Sequence, residues 1–192
     1  TFGCFNNLSK INDKVISLWS KILKAIPKSK IFLKTMELND TYLKKKIINN
    51  FKKNNINSDS IILEGFSPRN ELFASYNRVD IALDPFPYSG GVTSFEAIWM
   101  GTPVLTKRGF NFISHTTESI NHNCGMSDWI ANDENKYITK AIEFSANLKK
   151  LSEIKKNLRK IALESPLFNS SLFAEQLDNA LWKMWTNFIS KK

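Results

Sequence analysis

The sequence predicts an α/β fold, a parallel sheet with helices on both faces. Three observations carry this. Short apolar runs alternate with longer amphipathic stretches along most of the chain. At least five strand-then-helix units can be read, and such alternation builds crossovers and a parallel sheet. The run at 79–84 is almost continuously apolar, as a strand covered on both faces must be. At 192 residues the chain can bury a core without disulfide or metal staples. Its 42% hydrophobic and 23% charged content excludes disorder, collagen and disulfide-rich scaffolds.

The elements follow in order. Residues 2–5 form a short strand. Residues 13–26 place Val15, Ile16, Trp19, Ile22, Leu23 and Ile26 on one helical face, and Pro27 ends that helix. A strand at 30–34 is followed by a Lys-rich helix at 39–54. A strand at 60–64 leads through the loop Gly65-Phe66-Ser67-Pro68 to a short helix at 70–77. The buried strand 79–84 precedes a helix at 93–100, a strand at 103–106 and a helix at 114–122. Helices at 136–146 and 148–163 come next, then a last amphipathic helix at 172–189. Residues 1–165 therefore read as one Rossmann-like domain, and residues 166–192 as a C-terminal helical segment. That last helix carries Leu177, Leu181, Met184, Trp185 and Phe188 in a stripe. Such a stripe is ordinarily core, but two Trp on a terminal helix also suit docking onto a further domain.

The charge is strongly basic, with 27 Lys+Arg against 18 Asp+Glu. On charge alone the partner would be nucleic acid or a membrane surface. However, only four of the basic residues are Arg, and nucleic-acid readers lean on Arg forks. Abundant Lys and Asn suit a solvated surface. Cys4 and Cys124 form no CxxC pair, and His115 and His122 lack metal-ligand spacing with them, so no metal site is expected. No apolar run reaches the length of a membrane span, and no signal peptide is visible. A cytoplasmic protein is expected. The chain starts at Thr1 as though in mid-strand, which suggests a piece of something longer.

The informative stretch runs from Asp84 through Pro85, Pro87, Ser89, Gly90, Gly91, Val92 and Thr93 to Glu96. A buried strand ends, a Pro-rich turn follows, then a Gly-Gly pair opens a helix. Glycines let backbone approach a ligand closely, and a helix N-terminus offers free N–H groups and partial positive charge. That geometry suits a diphosphate at the carboxyl edge of a parallel sheet. Glu96, one turn in, can accept from vicinal ribose hydroxyls. Thr93 as N-cap with Glu96 as its capping-box partner is the plainer reading, and both can hold together. Lys10, after the first strand, lies at the same edge and could neutralise phosphate. The loop around Phe66 and Arg69 could read a base. No GxxxxGK[ST], GxGxxG or GxSxG motif is present.

In combination, CFNNLSKI, GFSPRNEL, VDIALDPFPYSGGVTSFEAIWMGTPVLT, the ESI segment near residue 118 and SPLFN occur in order along nearly the whole chain. In these segments the chain resembles the C-terminal half of the O-linked N-acetylglucosamine transferase / SPINDLY glycosyltransferases. The resemblance implies a GT-B fold whose other half is absent here. It implies inverting transfer of GlcNAc or a hexose from a UDP-sugar to protein Ser/Thr or Asn, without a metal or other cofactor. It gives Lys10 the catalytic role beside the leaving diphosphate. Asn7 falls next to the donor, and Phe66, Ser67, Arg69 and Leu72 fall in the base-recognition loop. Gly90, Gly91, Val92 and Thr93 form the diphosphate cradle, and Glu96 the ribose acid. Implied partners are an N-terminal GT-B domain, tetratricopeptide repeats and a protein acceptor, with the terminal helix packing back toward that domain. Animal members carry His and Thr at the positions of Gly91 and Val92, and Asp at Glu96, which leaves the sugar open. The competing expectation is a non-catalytic basic module that holds nucleic acid or protein.

Overall fold

The structure, a computed structural model, describes residues 1–191. Six parallel strands form one sheet: β1 (Phe2–Cys4), β2 (Ile31–Lys34), β3 (Ile61–Glu64), β4 (Ile81–Leu83), β5 (Val104–Lys107) and β6 (Ile130–Ala131). Their spatial order is β3-β2-β1-β4-β5-β6. Phe2 faces Ile31 on one side and Ile81 on the other, so β1 is the centre of the sheet. The order reverses there, because the chain first builds outward through β2 and β3 and then returns to the far side of β1. Open parallel sheets bind ligands at such a switch point, outside the carboxyl ends of the strands.

The helices are α1 (Asp13–Ala25), α2 (Thr41–Lys53), α3 (Arg69–Ser75), α4 (Val92–Trp99), α5 (Thr116–Asn123), α6 (Glu134–Ala146), α7 (Leu148–Leu163) and α8 (Ser170–Ile189). The stripe read in the first helix is buried as expected, with Val15, Trp19 and Ile22 wholly inside. Asn12 caps α1, its Oδ1 accepting from Val15 N at 3.0 Å. The same side chain donates to Phe86 O at 2.9 Å, which fastens the turn after β4 to the start of α1. Trp19 Nε1 donates to Tyr137 Oη at 3.2 Å, and Tyr137 donates to Asp84 O at 3.1 Å. Buried aromatic polar tips are thereby satisfied, as burial demands, and the core is tied to the end of β4.

Two expectations change. The strand β6 went unread because two residues are too short to show a period. The stripe on the last helix is not core of this chain: α8 buries no residue, and Leu177, Leu181, Met184, Trp185 and Phe188 are 46% to 68% exposed. The apolar face of α8 lies open to solvent along the described chain. Among the described residues, no helix is long and apolar enough to cross a membrane.

Candidate functional site

The segments after β1 and β4 lie some eighty residues apart in sequence, and the topology brings them together. Lys10 Nζ donates to Ser89 O at 2.8 Å and lies 3.4 Å from Asn6 Oδ1. Thr93 Oγ1 donates to the same Asn6 oxygen at 2.9 Å. The ammonium also sits 3.8 Å above the centre of the Tyr88 ring. Burial draws the Lys10 pKa down, while nearby Asp84 and Cys4 oppose that.

The helix N-terminus differs in detail from the expectation. Gly91, not Thr93, is the N-cap of α4, and no side chain caps it. Thr93 is turned to Asn6, and Glu96 reaches sideways to Arg69, with 3.4 Å between Glu96 Oε1 and Arg69 Nη2. The capping box is thus absent. Among the described residues, the N–H groups of Gly91, Val92 and Thr93 have no acceptor within the chain. Three adjacent donors at a helix start, with an ammonium across from them, are an arrangement whose charge and geometry suit an anion.

The loop is held in this shape by Asp84, which is wholly buried. Its Oδ1 accepts from Gly90 N at 2.6 Å and its Oδ2 from Thr106 Oγ1 at 2.7 Å. Thr117 Oγ1 donates to Gly90 O at 3.1 Å, and Ser89 Oγ donates to Ile113 O at 2.8 Å. Sequence reasoning treated Asp84 only as the strand's end; a carboxylate at the end of an apolar strand, just before a Pro-Gly turn, was the signal. Burial pushes its pKa up to about 6, against the hydrogen bonds from Thr106, Gly90 and Thr117 and the charge of Lys10.

That shift has a measurable consequence. The folded protein holds the Asp84 proton more tightly than the unfolded chain, whose value is near 3.8. Stability from the protonated form is therefore complete below about pH 4 and lost as pH rises to about 6. Two pK units correspond to about 3 kcal/mol. Urea unfolding of wild type and Asp84→Asn, compared at pH 4 and pH 7, should show the wild type losing stability relative to the variant by an amount of that order.

The remaining site residues divide. Arg69, at the start of α3, lies 4.8 Å from the Phe73 ring and shares an open groove with Phe73, Val92, Phe95, Glu96, Trp99 and Phe168. Burial raises the Glu96 pKa, and Arg69 opposes it. Phe66 is exposed, with its N–H held by Asn39 Oδ1 at 3.1 Å. The Ser67 hydroxyl is buried and has no partner among the described residues. Leu72 packs against the core. Asn7 is not turned to the Lys10–Thr93 junction. Its oxygen accepts from Ser9 N at 2.8 Å, and its amide meets Glu37. The neighbour that does reach the junction is buried Asn6, which sequence reasoning passed over. Among the described residues, no group of three His, Cys, Asp or Glu side chains could hold a metal.

A Rossmann-like parallel sheet, with Lys10 and the start of α4 meeting at its switch point beside an aromatic groove that holds the Arg69–Glu96 pair, has the build of a glycosyltransferase half-domain. The chain belongs to glycosyl transferase family 41, whose family model matches residues 1–177. It is 29% identical over 189 residues to a probable UDP-N-acetylglucosamine–peptide N-acetylglucosaminyltransferase SPINDLY of Hordeum vulgare, and 30% identical to that of Oryza sativa subsp. japonica. Each match takes in 98% of this chain but 20% of the relative, so the chain spans one fifth of the length of these curated relatives. An O-GlcNAc transferase mutant from Thermobaculum terrenum superposes with a TM-score of 0.91 at 32% identity, over 97% of this chain and 36% of that one. The C-terminal domain of a glycosyl transferase group 1 family protein from Francisella tularensis shares the fold at a TM-score of 0.61 and 17% identity, over 85% and 84% of the two chains. The expected fold class stands: this is the architecture of the C-terminal half of a GT-B glycosyltransferase.

Proposed function

We propose that this chain binds the nucleoside diphosphate of a UDP-sugar within an inverting glycosyltransferase that modifies protein Ser/Thr or Asn. The observation that carries the reading is the convergence of Lys10 with the unpartnered amides of Gly91, Val92 and Thr93 at the switch point. The diphosphate spans that gap. The ribose reaches Glu96, and the base lies toward Phe66, Ser67, Arg69 and Leu72. Arg69 and Glu96 neutralise one another at 3.4 Å until the nucleotide separates their tasks. The exposed apolar face of α8 covers an N-terminal GT-B domain of the same enzyme, with tetratricopeptide repeats beyond it and the whole working in the cytoplasm. The relatives named as peptide N-acetylglucosaminyltransferases support a protein acceptor.

Calorimetry with this chain tests the reading. UDP should bind and a non-specific oligonucleotide should not compete. A nucleic-acid module would instead prefer the oligonucleotide, with affinity falling steeply with salt. Because Glu96 accepts from ribose hydroxyls, wild type should prefer UDP to 2′-deoxy-UDP by about tenfold, about the worth of one charge-assisted hydrogen bond. In Glu96→Ala that preference should vanish. Equal discrimination in wild type and variant would remove the ribose role from Glu96.

A further inference from the structure

Buried Glu118 on α5 gathers side chains that the donor reading does not use. Its Oε1 accepts from Arg108 Nε at 2.6 Å and its Oε2 is 2.6 Å from His115 Nδ1. Burial pushes the Glu118 pKa up, but the hydrogen bonds from His115 and Arg108 and the charge of Arg108 outweigh it and hold the carboxyl below its ordinary value. Glu118 is therefore a carboxylate, which only accepts. The His115 nitrogen facing it carries the proton, and in the neutral ring Nε2 is left as an acceptor. That side chain is 44% exposed and has no second hydrogen-bond partner among the described residues.

The position of this ring is fixed from both sides. Ile113 O accepts from Ser89 N and Ser89 Oγ, at 3.2 and 2.8 Å, and Thr117 Oγ1 donates to Gly90 O. The His115 backbone is thus lashed to the diphosphate loop two residues before and two residues after. A Cβ built on Gly91 would be 3.9 Å from Thr116 Cγ2, so the missing side chain of Gly91 leaves space beside Thr116, the residue after His115. Around α4, Ser94 faces Thr117 of α5 at 2.8 Å, while Glu96 faces Arg69 of α3. Two residues are about 200° apart on a helix, so α5 and the Arg69–Glu96 groove flank α4 on opposite sides. With the nucleoside in that groove and the diphosphate on the α4 amides, the third part of the donor points toward α5.

We infer that His115, oriented by Glu118, accepts a hydrogen bond through Nε2 from a hydroxyl of the transferred sugar, and so helps select that sugar. The inference rests on the donor reading above. Calorimetry with the full chain separates the two, using UDP, UDP-GlcNAc and UDP-glucose as probes. His115→Ala should weaken at least one of the two sugar nucleotides by about fivefold, the scale of one hydrogen bond, and leave UDP within about twofold. His115→Gln, whose carbonyl can accept, should recover part of the loss. A variant that changes UDP and both sugar nucleotides by the same factor, or changes none of them, overturns the role of His115 and leaves the donor reading intact. A wild-type chain that fails to bind UDP overturns the donor reading and this inference with it.

Discussion

Alanine at position 10 is expected to weaken UDP binding by about 30-fold while leaving the affinity for uridine unchanged. The argument begins with what Lys10 does in the unliganded chain. Its ammonium rests on Ser89 O at 2.8 Å and on the Tyr88 ring. Both partners stand at the entrance to α4, so the charge is already held where a diphosphate would meet the helix amides. A preorganised charge need not be gathered on binding, and its hydrogen bond to phosphate contributes about 1.5–3 kcal/mol, which sets the fold-change. Uridine lacks phosphate and should not sense the loss. Folding should change little, since Ser89 N and Oγ remain bound to Ile113 O. In an intact enzyme the same group would act on the departing diphosphate, where one preorganised donor is worth about 3 kcal/mol of barrier. Titration of wild type and Lys10→Ala with UDP and with uridine reads this directly. Equal loss for both ligands would mean that Lys10 merely supports the fold.

The sequence made this pairing partly legible. Lys10 and the Gly-Gly turn were each readable as lying at the carboxyl edge of a strand, because the apolar runs of β1 and β4 are clear. That they face one another follows from the strand order, in which β1 and β4 are neighbours, and periodicity carries no strand order. The same limit explains Asn6 and Asn7. Both stand in the right loop, and only the backbone decides that Asn6 points to Thr93 while Asn7 points to Glu37. Thr93 suited an N-cap by residue type, yet Asn6 competes for its hydroxyl across eighty-seven residues. Long-range partners outrank local propensity wherever a buried polar group would otherwise go unpaired. The α8 stripe is the opposite case. Its helical period was plain in the sequence, but period shows only that one face is apolar, not what covers it.

The two glycines that open α4 should behave very differently when changed, and Gly90→Ala should be the most damaging small substitution at the site. A Cβ at Gly90 would overlap Ser94 Oγ and stand 2.9 Å from Asp84 Oδ1 and 3.1 Å from Thr93 Oγ1. None of these can yield cheaply. Ser94 is buried and bonded to Thr117 at 2.8 Å, and Asp84 is wholly buried between Gly90 N and Thr106 Oγ1. Relief must come from the backbone, which would lengthen the 2.6 Å bond from Gly90 N to Asp84 and leave a buried carboxylate short of a donor. Overpacking costs about 1–3 kcal/mol, and a strained buried hydrogen bond adds to that. The expected total is about 3 kcal/mol, or a fall in Tm of roughly 6–12 °C for a domain of this size. The same shift would swing the amides of Gly91, Val92 and Thr93 away from Lys10, so UDP binding should be lost even at temperatures where the variant is folded. At Gly91 a Cβ would meet nothing closer than 3.9 Å, and Gly91→Ala should cost under about 1 kcal/mol. Thermal unfolding and UDP titration of the two variants side by side test the argument. Comparable Tm values for both would mean that the turn after β4 can absorb a side chain, and that Asp84 does not hold the loop as tightly as its hydrogen bonds imply.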